Sequence, residues 1–220
     1  MNIIALTDLH GRTGIIKSLF AQLQAADLII LCGDITHFGR RNEIAGIIEV
    51  FRKINPNVVA VSGNCDYPEV EEYLAVATLS LSGMIRDYSN YTLFGLGGSL
   101  PCPGPTPNEY TEEEYEEILS GISVPSKRPL IMVSHQPPIN TLNDAVSPGN
   151  HVGSKAVRQF IERTAPLVCF TGHIHEGKGI DYIGKTAIIN PGPAFSGGYA
   201  RAEVWDNLIS TLSILNIHDQ

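Results

Sequence analysis

Two histidines one residue apart close the stretch Val168-Cys169-Phe170-Thr171-Gly172-His173-Ile174-His175, after an apolar run and a glycine. Two imidazoles on a short turn can hold a transition-metal ion. Taken alone, the pattern fits two surface histidines on a turn equally well. Four other segments repeat its grammar. Residues 1–7 lead into Asp8-Leu9-His10, and residues 27–32 into Gly33-Asp34. Residues 57–62 lead into Gly63-Asn64-Cys65-Asp66, and residues 129–133 into Ser134-His135. Each run is rich in Val, Ile and Leu and stops at a side chain with an oxygen or nitrogen donor. Imidazole mixed with carboxylate and amide oxygen suits Mn, Fe, Ni, Co or Zn better than calcium.

Elements must bring these donors together. Short apolar runs bounded by turn residues read as strands buried on both faces. In α/β sheets, sites form beyond the carboxyl ends of the strands. Asp8, His10, Asp34, Asn64, His135, His173 and His175 are therefore expected to converge from five strand ends.

The segments between follow helical or strand periodicity. Ile15, Ile16, Leu19, Phe20 and Leu23 predict a helix over residues 12–24. Ile44, Ile47, Ile48 and Phe51 predict another over 41–54. Pro68 opens a helix over 68–74. Thr111 and Glu114 fit a capping box before an acidic helix over 112–119. Val157, Phe160 and Ile161 mark a helix over 153–164. An antiparallel set is expected over 78–82, 84–87 and 91–96, and a terminal meander over 180–183, 186–190, 199–205 and 208–215. Two mixed sheets with helices outside, a four-layer α-β-β-α sandwich in the α/β class, would bury all these runs. No linker divides the chain, so one domain over 1–220 is expected.

Composition narrows the function. A chain 43% apolar with a net charge of -8 reads as soluble, without the basic face that nucleic-acid binding needs. No signal peptide or membrane span is evident, so a cytoplasmic location and no membrane partner are expected. The four cysteines show no Cys-x-x-Cys spacing, which argues for reduced thiols and against a zinc ribbon. Oligomeric state stays open.

Asp8-x-His10, Gly33-Asp34, Gly63-Asn64, His135 and Gly172-His173-x-His175, in that order, resemble the calcineurin-like metallophosphoesterase superfamily. Asn190-Pro191-Gly192 and Gly149-Asn150-His151-Val152-Gly153-Ser154 resemble its prokaryotic phosphodiesterase-like members. The resemblance implies two divalent transition-metal ions, manganese foremost, with Fe, Ni, Co or Zn as alternatives. It implies a first ion on Asp8, His10 and His175, a second on Asn64, His135 and His173, and Asp34 as the bridge. No cysteine belongs to that set.

Two such ions bring four positive charges. Asp8, Asp34 and a bridging hydroxide bring three negative ones, leaving roughly +1 to meet an anionic phosphate. The chemistry this implies is hydrolysis of a small phosphodiester, with Asp8, Asp34 and Asn64 in catalytic positions. Where most of the family follows the Asn with His, this chain has Cys65, a weak proton donor. Cys65 is expected to line the substrate site. His151 is expected to touch substrate and to be the candidate replacement acid. His37 is a candidate for the rim, Arg12 for pairing with phosphate or for an ordinary first-turn helix place, and His218 for solvent. A phosphomonoesterase or protein phosphatase is the alternative enzyme. A metal-binding scaffold with little catalysis is the alternative outside enzymes, since the family includes a trafficking-complex subunit of that kind.

Overall fold

A computed structural model describes residues 1–125 and 128–219. In chain order its elements are β1 (Asn2–Leu6), α1 (Gly14–Ser18), α2 (Phe20–Ala25), β2 (Leu28–Cys32), α3 (Arg41–Ile54), β3 (Val58–Val61) and α4 (Pro68–Val76). There follow β4 (Ile85–Tyr88), β5 (Tyr91–Leu96), α5 (Glu112–Ser120), β6 (Leu130–Ser134), β7 (Ala145–Ser147), β8 (Asn150–His151) and α6 (Lys155–Thr164). The chain ends with β9 (Val168–Thr171), β10 (Gly179–Ile183), β11 (Thr186–Asn190), β12 (Gly198–Trp205) and β13 (Leu208–Asn216).

Two mixed sheets carry the chain, in the orders β13-β12-β1-β2-β3 and β10-β11-β9-β6-β5-β4. β1, β2 and β3 run parallel, as do β5, β6, β9 and β11. Three apolar layers confirm the sandwich. Ile15, Ile16, Ile44, Ile48 and Phe51 lie between the helices and the first sheet. Ile3, Ile30, Val61, Ile131, Val133 and Phe170 lie between the sheets. Phe94, Tyr115, Met132, Val157 and Phe160 lie between the second sheet and α5 and α6. Full burial of each such side chain contributes about 1.5–3 kcal/mol, which is why strand runs without polar alternation are stable here.

Local signals hold at several boundaries. Thr111 and Glu114 form the reciprocal capping box, with Thr111 N donating to Glu114 Oε2 at 2.7 Å and Glu114 N to Thr111 Oγ1 at 3.2 Å. Pro68 stands in the first turn of α4. Asp206 and Asn207, both at positive φ, turn β12 into β13.

Three expectations fail. The helix over 12–24 breaks at Leu19, whose backbone (φ −99°, ψ 13°) leaves the helical region while its side chain is fully buried. Residues 78–82 make only isolated bridges, Ser80 to Ala60 and Ser82 to Gly95. They link β3 of the first sheet to β5 of the second rather than pair along their length. The terminal strands are not one meander. β10 and β11 join the second sheet while β12 and β13 join the first. The Asn190-Pro191-Gly192 turn makes that crossing, since proline cannot extend the ladder.

Candidate metal centre

The five strand ends meet. β1, β2 and β3 of the first sheet carry Asp8, His10, Asp34 and Asn64 just beyond their last residues, and β6 and β9 of the second carry His135, His173 and His175. Donor atoms of Asp8, His10 and His175 all lie within 4.8 Å of one another, as do those of Asp8, Asp34 and His135. His175 Nε2 stands 3.3 Å from Asp8 Oδ1. His10 Nε2 stands 3.6 Å from Asp34 Oδ2, and His135 Nε2 stands 3.5 Å from Asp34 Oδ1. Asn64 Oδ1 is 3.1 Å from His135 Nε2. His173 is set differently. Its ring is 5.3 Å from that of His135, and its Nε2 faces Cys102 Sγ at 3.7 Å.

The loops achieve this at conformational cost. Asp8, His10, Asp34 and His173 all have φ between 46° and 67°. Non-glycine residues adopt that region sparingly, and such strain, about 1–3 kcal/mol each, gathers at functional sites. The glycines before the donors answer to close approach. A Cβ on Gly63 would stand 2.1 Å from Asp34 Oδ1, and one on Gly172 1.8 Å from Thr7 Oγ1.

Hydrogen bonds fix which atoms face inward. His135 Nδ1–H donates to the Cys32 carbonyl at 2.8 Å, so in the neutral ring Nε2 carries the lone pair. That lone pair faces oxygens of Asn64 and Asp34, so either a proton or a cation must stand among them. Asn64 Nδ2 donates to Thr106 Oγ1 at 3.2 Å, which turns Asn64 Oδ1 toward the centre.

The charges say the same. Asp8 and Asp34 are 1% and 3% exposed, and their ion pairs among the described residues run to histidines. Burial pushes the Asp8 and Asp34 carboxyls up, but neighbouring imidazoles more than reverse this and hold both below the usual carboxylate range. Burial pulls His135 down, yet Asp34 and Asp8 outweigh it and lift it to about 9. Burial and the charge of His135 press His173 down to about 4. Burial also lowers His10, whereas the hydrogen bond to Asp8 raises His175. Two buried carboxylates this close demand positive charge. Carboxylate, amide oxygen and imidazole form a donor set that suits divalent transition metals. The residues present fit such ions.

Sequence reasoning missed the supports. Thr7 Oγ1 donates to Asp8 Oδ2 at 2.6 Å. Asp66 is wholly buried and accepts from the backbone N–H groups of Ile35, Thr36 and Gly63, locking the loop of Asp34 to that of Asn64. Phe195 packs against both His10 and His175, at 5.6 and 5.3 Å between ring centres. The proline-rich segment after β5 closes over Asn64 through Thr106 and Cys102, and Asn108 Nδ2 donates to the Gly63 carbonyl at 2.9 Å. Asp66 closes the Gly63-Asn64-Cys65-Asp66 motif, but its role as a backbone acceptor has no local signature, and neither has Thr7 or Phe195.

The remaining candidates divide. His37 reaches the rim, its Nδ1 3.4 Å from His10 Nδ1. Arg12 lies over the Phe195 ring at 5.1 Å. His218 is exposed. His151 sits on the hairpin of β7 and β8, its Nδ1 2.7 Å from Oδ1 of the buried Asp144. That hairpin is tied to the loop of His175 by Asn143, whose amide donates to the Gly177 and Gly179 carbonyls.

Residues 1–177 match the sequence family described as calcineurin-like phosphoesterase. An uncharacterized protein of Methanocaldococcus jannaschii is 40% identical over 199 residues, which cover 88% of each chain. A solved protein of Thermus thermophilus superposes with a TM-score of 0.79 at 19% identity over 98% of both chains. A structure described as that of a novel archaeal phosphodiesterase superposes with a TM-score of 0.55 at 15% identity, covering 98% of this chain and all of that one. At such identities the structural likenesses speak for the fold alone.

Proposed function

The chain belongs to the calcineurin-like phosphoesterase family, and from that premise we propose that it is a dinuclear metal-dependent phosphodiesterase acting on a small molecule. One observation carries the reading. The two oxygens of the Asp34 carboxylate face different imidazoles, Oδ2 toward His10 and Oδ1 toward His135. A carboxylate so placed would serve two ions at once. Asp8, His10 and His175 would hold the first ion, and Asn64, His135 and His173 the second. When bound, the ions supply positive charge for the phosphate and acidify water at neutral pH. Manganese, iron, nickel, cobalt and zinc all suit the oxygen and nitrogen donors.

The chain's own groups do the rest. The Cys32 carbonyl keeps the proton of His135 on Nδ1, so Nε2 stays free to bind. Thr7 and the backbone N–H of His173 hold Asp8 Oδ2, leaving Oδ1 for the centre. The segment bearing Cys102 and Thr106 walls the Asn64 side, and Phe195 walls the His10 side. His151, held by Asp144, is the group proposed to protonate the departing alcohol from Nε2, and Cys65 borders the phosphate position.

A small substrate agrees with a net charge of -8, which repels polyanions. No helix among the described residues is long and apolar enough to cross a membrane. The test is metal analysis of protein purified without chelator, with a panel of phosphomonoesters and diesters. About two ions per chain and faster diester turnover are expected. A folded protein that holds no transition metal, even after both Mn²⁺ and Co²⁺ are offered, defeats the reading.

A further inference from the structure

Two of the four cysteines, Cys32 and Cys169, are packed inside strands. The other two stand at the centre. Cys65 Sγ lies within 4.8 Å of a ring nitrogen of His10 and a carboxylate oxygen of Asp34, which lie equally close to each other. Three strand-end loops thus aim sulfur, nitrogen and oxygen at one point. The backbone fixes this arrangement, since Cys65 N donates to Asp34 Oδ1 at 2.8 Å. Asn64 Nδ2 directs an N–H at Cys65 Sγ from 3.6 Å. Cys102 Sγ sits on the other side of Asn64, 3.9 Å from the same nitrogen and 3.5 Å from Ser99 Oγ.

We infer that Cys65 is a thiolate ligand of the first ion, beside His10 and Asp34, and that the centre selects a thiophilic divalent ion such as Zn²⁺ or Co²⁺ over Mn²⁺. The inference rests on the dinuclear reading above and refines its metal. Ligand softness supplies the reason. Thiolate favours zinc and cobalt, while manganese prefers oxygen donors. A cation at a thiol removes its proton outright. Binding therefore breaks the S–H bond, forms one sulfur–metal bond and releases one proton to the buffer, with no change in oxidation state. The added negative charge lowers the shell from roughly +1 to roughly zero. A neutral shell turns away a dianionic monoester more than a monoanionic diester.

The test is an anaerobic Co²⁺ titration of the ion-free full-length chain, followed by absorbance. A near-ultraviolet sulfur-to-cobalt charge-transfer band is expected in the wild type. It should vanish in Cys65→Ser and persist in Cys102→Ser, with circular dichroism showing both variants folded. Zinc affinity should fall by about 10–100-fold in Cys65→Ser, and manganese affinity much less. If the wild type binds cobalt without the band, the thiolate is overturned and the dinuclear reading stands. A band lost in Cys102→Ser alone, or in neither variant, also overturns it. No cobalt bound to folded wild type overturns the reading beneath. If Cys65→Ser does not fold, cadmium NMR of the wild type decides, because a sulfur ligand moves the resonance far downfield and oxygen and nitrogen alone do not.

Discussion

His10 and His135 face opposite oxygens of one carboxylate, at 3.6 Å from Asp34 Oδ2 and 3.5 Å from Asp34 Oδ1. They come from different sheets, so the proposed bridge at Asp34 is flanked by imidazoles from both. Asp34→Ala should lower occupancy of both ions, from about two per chain to well under one. His10→Ala should empty one position and spare the other. Metal analysis of dialysed protein separates the cases. An Asp34→Ala protein that keeps both ions refutes the bridge.

Proton and metal compete at His135. Its pKa is lifted to about 9 from 6.5, so in ion-free protein the extra stability is complete below pH 6.5. That stability is lost as the pH rises through 9, on the order of 3 kcal/mol over the window. Asp8 and Asp34 are held below the usual carboxylate range and do not alter the sign there. Metal binding has the opposite slope. The ion bound at Nε2 displaces the proton, so affinity at that second position should rise by about tenfold per pH unit below 9 and flatten above it. Chelated protein should thus melt lower at pH 9 than at 6.5, and titrations with Mn²⁺ or Co²⁺ should tighten over the same interval. A pH-independent affinity would refute a protonated His135.

The donors were legible in the sequence because chemistry restricts them. An imidazole or carboxylate after an apolar run has few structural reasons to recur, and Asp8, Asp34, Asn64, His135 and His175 all met. Their supports were not legible. Asp66 acts through backbone N–H groups of Ile35, Thr36 and Gly63, and any residue type there would offer the same donors. Phe195 reads as one more apolar residue until the fold sets it against His10 and His175. The break at Leu19 is a packing decision, since local propensity supports a helix straight through it. Asp144 sits seven residues from His151, a separation that suits neither helix nor strand spacing and becomes a contact only through the β7–β8 hairpin.

Substrate charge gives the third prediction. Among the described residues, Asp8 and Asp34 have no Lys or Arg within ion-pair distance, and the nearby Arg12 is stacked over Phe195. A shell of roughly +1, or roughly zero with Cys65 bound as thiolate, suits a monoanionic diester better than a dianionic monoester. With the same activated aryl leaving group, the diester should turn over faster at neutral pH. Faster monoester turnover would move the assignment to a phosphatase.

Leaving-group protonation gives the last. If Cys65 binds metal, it has no proton to give, and the family's usual donor is absent from its position. The candidate donor is His151, half-exposed on its hairpin. Asp144 Oδ1 holds its Nδ1 at 2.7 Å, and the Asp144 carboxylate is itself fixed by the N–H groups of Thr141 and Gly153 at 2.8 and 2.9 Å. Orientation by a buried carboxylate leaves Nε2 as the working nitrogen. An alkoxide needs a proton to leave, whereas an aryl oxide hardly does. His151→Ala should therefore slow alkyl diesters by about 10²-fold or more and aryl diesters only a few-fold. Metal content should stay unchanged. Asp144→Asn removes the orienting charge but keeps the ring, so it should give a smaller loss with the same selectivity. Its melting temperature must be measured alongside, because Asp144 also closes the turn at Thr141. Equal slowing of both ester types by His151→Ala, with metal retained, would show that His151 does not donate the proton.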